Sequence, residues 1–274
     1  MKKLLTGSVT CVCFAFLTAF NDSPEETKAL RHVSYSIFGE KYAKTPILDE
    51  LLKGHVYYVV SGHGGPDPGA MTKKGDQWIS EDEYAYDVSL RLARNLITHG
   101  AKVYMITRDE NDGIRDEEIL EMDKDETVWG GAAMPLNQRA RLAQRSEIIN
   151  KLYRENASKG YEVQRTIVTH VDSRYEDKKI DVFFYFSPGS DAGQSLAQTM
   201  YSTVKNKYEE HQSGRGYDGV VHSRGLWMLR ETIPITVYIE LGNISNTFDQ
   251  KRLLIPNNRQ ALANWMAEGV LKSI

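Results

Sequence analysis

From residue 55 onwards the sequence alternates short, continuously apolar runs with longer amphipathic stretches, and this alternation strongly constrains the fold. The apolar runs are HVYYVV at 55–60, AKVYMI at 101–106, RTIVTHV at 165–171, DVFFYF at 181–186 and ITVYIEL at 235–241. Runs that are apolar on both faces are typical of parallel strands covered by helices on both sides. The sequence therefore predicts a single α/β domain with a central, mainly parallel, twisted sheet flanked by helices.

Helices are predicted over 81–98, 137–156, 192–210 and 258–272. In the first of these, Tyr84, Val88, Leu92 and Leu96 recur every four residues and form one apolar face. His99 and Gly100 follow as a helix stop. The order strand, helix, strand repeats along the chain, as in other α/β domains.

The N-terminal twenty residues have the layout of a secretory signal peptide, with two lysines before an apolar stretch. Phe20 is bulky where a small residue is expected at a cleavage site, so an uncleaved membrane anchor stays open as the alternative. Residues 21–52 are mixed and charged, and we interpret them as an extension or linker before the main domain at 53–274. We expect an exported protein of the periplasm or cell envelope.

The composition and charge limit the metal ligands and the kinds of partner that the domain can have. Both cysteines, Cys11 and Cys13, lie in the N-terminal segment, so a metal in the domain must be held by His, Asp or Glu. The net charge of -3 gives no basic field for nucleic acid or an anionic membrane surface. The sequence has neither a G-x-S-x-G elbow nor a P-loop, which argues against a serine hydrolase and a P-loop enzyme.

Two histidines stand where parallel strands are predicted to end. His63 follows the first apolar run within GHGGPDPGA, and His170 closes the third. Sites in open α/β sheets collect at the carboxyl ends of the strands, so both histidines are candidate ligands. A phosphate cradle at this loop is disfavoured, because Asp67 occupies a required glycine position and Pro66 and Pro68 lack backbone donors.

Carboxylates that could complete such a site occur in two places. Glu81, Asp82 and Glu83 begin a predicted helix, but Ser80 with Glu83 also fits a capping box, and the spacing alone favours capping. Glu240 interrupts an otherwise apolar strand, where a buried carboxylate needs a partner or a function. At a strand end beside a metal, it is well placed as a general base.

Five motifs follow one another over about residues 53–274, namely GHGGPDPGA, EYAYDVSLRLARNLITHGAKVYMITR, LNQRARLAQ, IVTHVDS and LRETIPITVYIELGNISN. In this order they resemble the motifs of the zinc-dependent N-acetylmuramoyl-L-alanine amidases with the amidase_3 type of catalytic domain. This resemblance implies that His63, Glu83 and His170 bind Zn²⁺ and that Glu240 is the catalytic glutamate. It also makes Asp87 the counterpart of a usual Asn, and Arg139 the family's arginine.

The resemblance implies hydrolysis of the amide between N-acetylmuramic acid and the L-alanine of the stem peptide, with peptidoglycan as the partner. His222, Arg224 and Arg230 are weaker candidates for holding the peptide or sugar, with a structural role as the alternative. A zinc peptidase acting on the stem peptide and an inactive cell-wall binding or regulatory domain remain alternatives. The need for an activator protein stays open, and membrane contact is expected only through an uncleaved N-terminal segment.

Overall fold

The computed structural model describes residues 30–274. The predicted signal or anchor segment, residues 1–20, lies outside the described residues. Within the part of the chain that is described, no helix has the length and apolar character needed to cross a membrane.

The described chain contains a central six-stranded sheet and three two-stranded ribbons. The strands are β1 His32–Ser34, β2 Lys44–Pro46, β3 His55–Ser61, β4 Met71–Lys74, β5 Gln77–Ser80, β6 Lys102–Met105, β7 Thr107–Arg108, β8 Thr127–Val128, β9 Val163–Asp172, β10 Phe183–Phe186, β11 Val221–Ser223 and β12 Ile235–Asn243. The helices are α1 Glu81–Thr98, α2 Gln138–Ala157, α3 Asp191–His211, α4 Trp227–Glu231, α5 Thr247–Leu254 and α6 Pro256–Leu271, with a 3₁₀ turn at Ser36–Phe38. All five predicted strands and all four predicted helices are present.

The central sheet has the strand order β11, β10, β12, β9, β3, β6. The four strands from β12 to β6 are mutually parallel, whereas β10 runs antiparallel to β12 and parallel to β11. The prediction of a single domain with a mainly parallel sheet flanked by helices is confirmed.

The two faces of β3 show why this sheet is covered on both sides. Tyr57 and Val59 belong to a core shared with α1, α3 and α6. Val56, Tyr58 and Val60 belong to a second core that includes residues of α2 and α4. Successive strand residues point to opposite faces, so a run that is apolar at every position needs helices on both.

Parallel pairing brings the carboxyl ends of β3, β9 and β12 together at one edge of the sheet. Ser61 at the end of β3 pairs with Thr169 of β9, and His170 pairs with Glu240 of β12. The segments that leave these strands therefore lie side by side, at the edge where ligands bind in such sheets.

The described part of the predicted extension is packed on the domain instead of forming a free linker. β1 and β2 pair antiparallel, and Phe38 and Leu52 are buried in the larger core. Lys41 and Tyr42 donate hydrogen bonds to Asp116, over 2.5 and 2.6 Å. Their partner lies in the acidic segment 109–131, so this segment is tied to the N-terminal ribbon.

Asp87 joins α1 to α6 and to the acidic segment. Its carboxylate is fully buried and accepts hydrogen bonds from Arg91 Nε at 2.7 Å and Arg259 Nε at 2.6 Å. It also accepts one from the backbone N–H of Arg115 at 2.8 Å. The residue that the resemblance aligned with an Asn is here the anion of a buried ion-pair network.

We expect Asp87→Ala to lower the free energy of unfolding by about 3–5 kcal/mol, because it leaves two buried guanidinium groups without their carboxylate. Urea denaturation followed by circular dichroism measures this loss. Asp177→Ala removes an exposed carboxylate and serves as the control. Equal unfolding midpoints for the two variants would contradict this account of Asp87.

Candidate metal centre

His63, Glu81 and His170 meet at the carboxyl edge of the sheet. Each offers one ligand atom, and these atoms lie within 4.8 Å of one another. Glu81 Oε1 is 2.7 Å from His170 Nδ1, and Glu81 Oε2 is 3.3 Å from His63 Nε2. Two imidazoles and one carboxylate are a donor set that zinc takes in catalytic sites.

The cluster contains Glu81, whereas the resemblance implied Glu83 as the carboxylate ligand. Glu83 Oε2 accepts a hydrogen bond from Arg115 Nη2 at 2.8 Å, and its Oε1 accepts one from the Asp123 N–H at 3.2 Å. Positions two apart on a helix are rotated by about 200°, so only one of the two glutamates can face the histidines. The capping box expected from Ser80 and Glu83 is absent too, since the Ser80 side chain makes no capping hydrogen bond.

Two glycines allow the chain to pass close to the cluster. A Cβ at position 62 would lie 2.2–2.4 Å from atoms of the His170 ring. Gly69 has a φ of +69°, and a Cβ there would lie 2.7 Å from Glu81 Oε2. His63 itself has a φ of 58°, a left-handed conformation that non-glycine residues rarely adopt outside turns and functional sites. The glycine-rich loop thus turns tightly around the three side chains.

Residues around the cluster fix the orientation of both imidazoles. His63 Nδ1 lies 3.0 Å from Asp67 Oδ2, and Arg141 hydrogen-bonds to the same oxygen. The ring of His170 stacks on Tyr238, with 4.5 Å between the ring centroids. A carboxylate on the outer nitrogen of a histidine is the usual way to orient a metal ligand. Sequence reasoning used Asp67 only to exclude a phosphate loop, although it lies four residues after His63 in the same motif.

The electrostatics suit the protonation states that a metal site needs. Burial alone would raise the pKa of Glu81, but the hydrogen bond with His170 and the charges of both histidines bring that pKa below its usual value. Burial lowers the pKa of His170 despite its bond to Glu81. The first shift favours the ionised carboxylate and the second favours the neutral imidazole, and these are the forms that coordinate a cation.

Glu240 lies next to the cluster on β12. Its exposure to solvent is 8%, and its Oε2 atom has no hydrogen-bond partner within residues 30–274. Burial raises its pKa well above the usual value, and the charges of Glu81 and Asp172 add to the effect. A buried carboxylate oxygen without a partner fits a site that is completed by a bound group.

The other candidates lie outside the cluster. Arg224 acts on Glu240 through its charge, which partly offsets the raised pKa of that residue, and its guanidinium lies 4.9 Å from the Tyr185 ring centroid. His222 and Arg230 are exposed, and Arg230 pairs with Glu231 at 3.7 Å. Arg139 is also exposed, with its guanidinium 5.7 Å from the Trp227 ring centroid.

The fold and the site together define an α/β domain with a candidate metal centre of two histidines and one glutamate at the carboxyl edge of its sheet. The family model described as N-acetylmuramoyl-L-alanine amidase, Amidase_3, matches residues 58–272. The chain belongs to this family, and it is an enzyme of this amidase class. None of the curated proteins compared with the chain matches it.

Solved structures of amidases share the fold at low sequence identity. The CwlD amidase from Clostridioides difficile, solved in complex with the GerS lipoprotein, superposes with a TM-score of 0.58 at 17% identity, over 80% of this chain and 98% of that chain. AmiC2 of Nostoc punctiforme gives a TM-score of 0.55 at 18% identity, over 80% and 96%. The catalytic domain of CwlV from Bacillus (Paenibacillus) polymyxa var. colistinus gives 0.55 at 18% identity, over 80% and 97%.

We expect Gly62→Ala to displace the His170 ring, because the added methyl group has no space beside it. The variant should bind Zn²⁺ at least about tenfold more weakly, since one imidazole is moved out of its position. Titration of the metal-free protein with Zn²⁺ checks this. Gly225→Ala is the matched control, because a Cβ there meets only an Arg230 side-chain carbon at 3.8 Å. Wild-type zinc affinity in Gly62→Ala would refute the close approach.

Proposed function

We propose that this protein is a zinc-dependent peptidoglycan amidase that hydrolyses the bond between N-acetylmuramic acid and the L-alanine of the stem peptide. The single observation that carries the proposal is the meeting of His63, Glu81 and His170 beside the unpartnered Oε2 of Glu240. The family match supplies the substrate class.

The cluster residues would hold the metal. His63 and His170 offer one nitrogen each and Glu81 offers a carboxylate oxygen, so three protein ligands leave room for a substrate or water ligand. Zinc in such a site polarises a carbonyl and makes a coordinated water more acidic. Asp67 and Tyr238 hold the two imidazole rings in the orientation in which they bind.

Glu240 would move the proton. Its free Oε2 accepts a proton from the attacking water as that water adds to the scissile carbonyl. The same oxygen then donates the proton to the nitrogen of L-alanine, which leaves as a neutral amine. Burial keeps bulk water away from this carboxyl group, so the proton taken from the water is passed to the leaving nitrogen and not lost to solvent.

The substrate sets where the protein works. Peptidoglycan lies outside the inner membrane, so we propose export to the periplasm or cell envelope, directed by residues 1–20, which could also serve as an anchor. CwlD was solved with the GerS lipoprotein. By analogy, an activator protein is included among the proposed partners.

Glu240→Ala should lower the rate of peptidoglycan hydrolysis by about 10³-fold or more, because general acid–base catalysis of this kind contributes about 10²–10⁴-fold. Zinc content should stay at the wild-type level, since Glu240 is not a member of the cluster. Release of peptide from purified peptidoglycan and metal analysis of the same sample provide the two measurements. Hydrolysis at the normal rate would rule out Glu240 as the base.

Product identification separates this function from its alternatives. An amidase frees the whole stem peptide with an L-alanine N-terminus, whereas a stem-peptide carboxypeptidase or endopeptidase leaves L-alanine attached to the sugar. Mass spectrometry of the digested peptidoglycan distinguishes these products. A zinc-loaded protein that releases neither product would be a binding or regulatory module.

Glu81→Gln and Glu83→Gln form a matched pair, with the same chemical change two residues apart. We expect Glu81→Gln to lower zinc affinity at least about 100-fold, because it removes an anionic ligand. Glu83→Gln should keep zinc, since its carboxylate pairs with Arg115 instead. Zinc affinity measured by competition with a chelator tests both variants. The opposite ranking would restore Glu83 as the ligand.

A further inference from the structure

A cavity of about 200 Å³ opens directly beside the cluster. His63 and His170 form one part of its wall, and Trp227 and Tyr238 contribute aromatic surface. Arg145 of α2 also lines it. A substrate group bound in this cavity would therefore lie next to the reacting bond.

Arg145 is only 3% exposed, and the protein provides few hydrogen-bond acceptors for its guanidinium group. Its Nη2 donates hydrogen bonds to the backbone carbonyl of His63 and to the sulfur of Met134. Its Nε is buried and has no partner in the described part of the chain. A guanidinium carries five N–H donors, so much of the binding capacity of Arg145 is unused.

The neighbouring Arg141 has the direct carboxylate partner that Arg145 lacks. Arg141, one turn earlier on α2 and lining the same cavity, is paired with the carboxylate of Asp67. Arg145 makes no direct ion pair with a carboxylate of residues 30–274, and the more distant charges of Asp67 and Glu126 act on it. Burial lowers its pKa to about 10, so it remains positively charged at neutral pH. A buried charge without a counter-ion is unfavourable, and an anion from outside would offset it.

We propose that Arg145 binds a carboxylate of the stem peptide and makes the enzyme selective for substrates that carry it. This inference rests on the proposed function. Guanidinium groups bind carboxylates through two parallel hydrogen bonds, and aromatic walls exclude water from such a pair. Because the cavity adjoins the cluster, the carboxylate must lie few bonds from the scissile amide. On the peptide side, the first that fits is the α-carboxylate of a γ-linked glutamate in the second position.

The test uses two muropeptides that differ only in this α-group, which is a free carboxylate in one and an amide in the other. For the zinc-loaded wild-type protein we expect kcat/KM to favour the acid by at least about tenfold, as for a buried charge-assisted pair. Arg145→Gln should reduce this preference to within about twofold, mainly by lowering kcat/KM for the acid. The ratio of two substrates in one preparation does not depend on how much of the variant is folded.

Arg154→Gln is the control, because Arg154 is an exposed arginine on the same helix and should leave the preference unchanged. Equal kcat/KM for the two muropeptides in the wild type would overturn the proposal, as would an unchanged preference in Arg145→Gln. If neither muropeptide is cleaved, the proposed function fails. In that case the affinities of both compounds for zinc-loaded Glu240→Ala, with and without Arg145→Gln, are measured by calorimetry. The ratio of the affinity for the acid to that for the amide then tests the inference, with the same outcomes expected as for kcat/KM.

Discussion

The contact between Glu81 and His170 is the interaction on which the site depends, because it joins the first turn of α1 to the end of β9. The same carboxylate accepts hydrogen bonds from the backbone N–H groups of Ala70 and Val171, and it lies against His63. The buried carboxylate of Glu81 thus contacts the glycine-rich loop and holds the start of α1 beside the segments that follow β3 and end β9. A carboxylate this deeply buried is stable only where donors or a cation surround it, so the fold and the arrangement of Glu81 with the two histidines depend on each other.

The layered α/β architecture could be predicted from the sequence, but the direction of each strand could not. Continuous apolar runs such as 55–60 and 235–241 can be satisfied only between two helical layers, and the structure has them there. The run at 181–186 carries the same pattern, yet β10 runs antiparallel to β12, because burial leaves no mark of direction in an apolar run. The burial of Phe38 and Leu52 could not be predicted, because isolated apolar residues in a charged segment form no periodic pattern.

Within the site, the histidines could be predicted and the carboxylate could not. His63 and His170 follow strands, and strand ends in a parallel sheet share one edge. Glu81 and Glu83 both begin a helix, and only the rotation of that helix about its axis decides which one faces the sheet. That rotation is fixed by distant partners such as Arg115, which holds Glu83 away from the histidines. The burial of Arg145 could not be predicted for a related reason, since the sequence does not show which arginines of a helix face the rest of the protein.

The pairing of Arg115 with Glu83 also helps to tie the acidic segment 109–131 to α1 and to the glycine-rich loop. Arg115 lies in the acidic segment 109–131, and its backbone N–H bonds to Asp87. Glu126 of the same segment accepts a hydrogen bond from the N–H of Gly65 at 2.7 Å, in the glycine-rich loop. The segment is therefore fastened both to α1 and to the loop that carries His63. A substitution that loosens it would disturb the position of a histidine of the cluster from a distance.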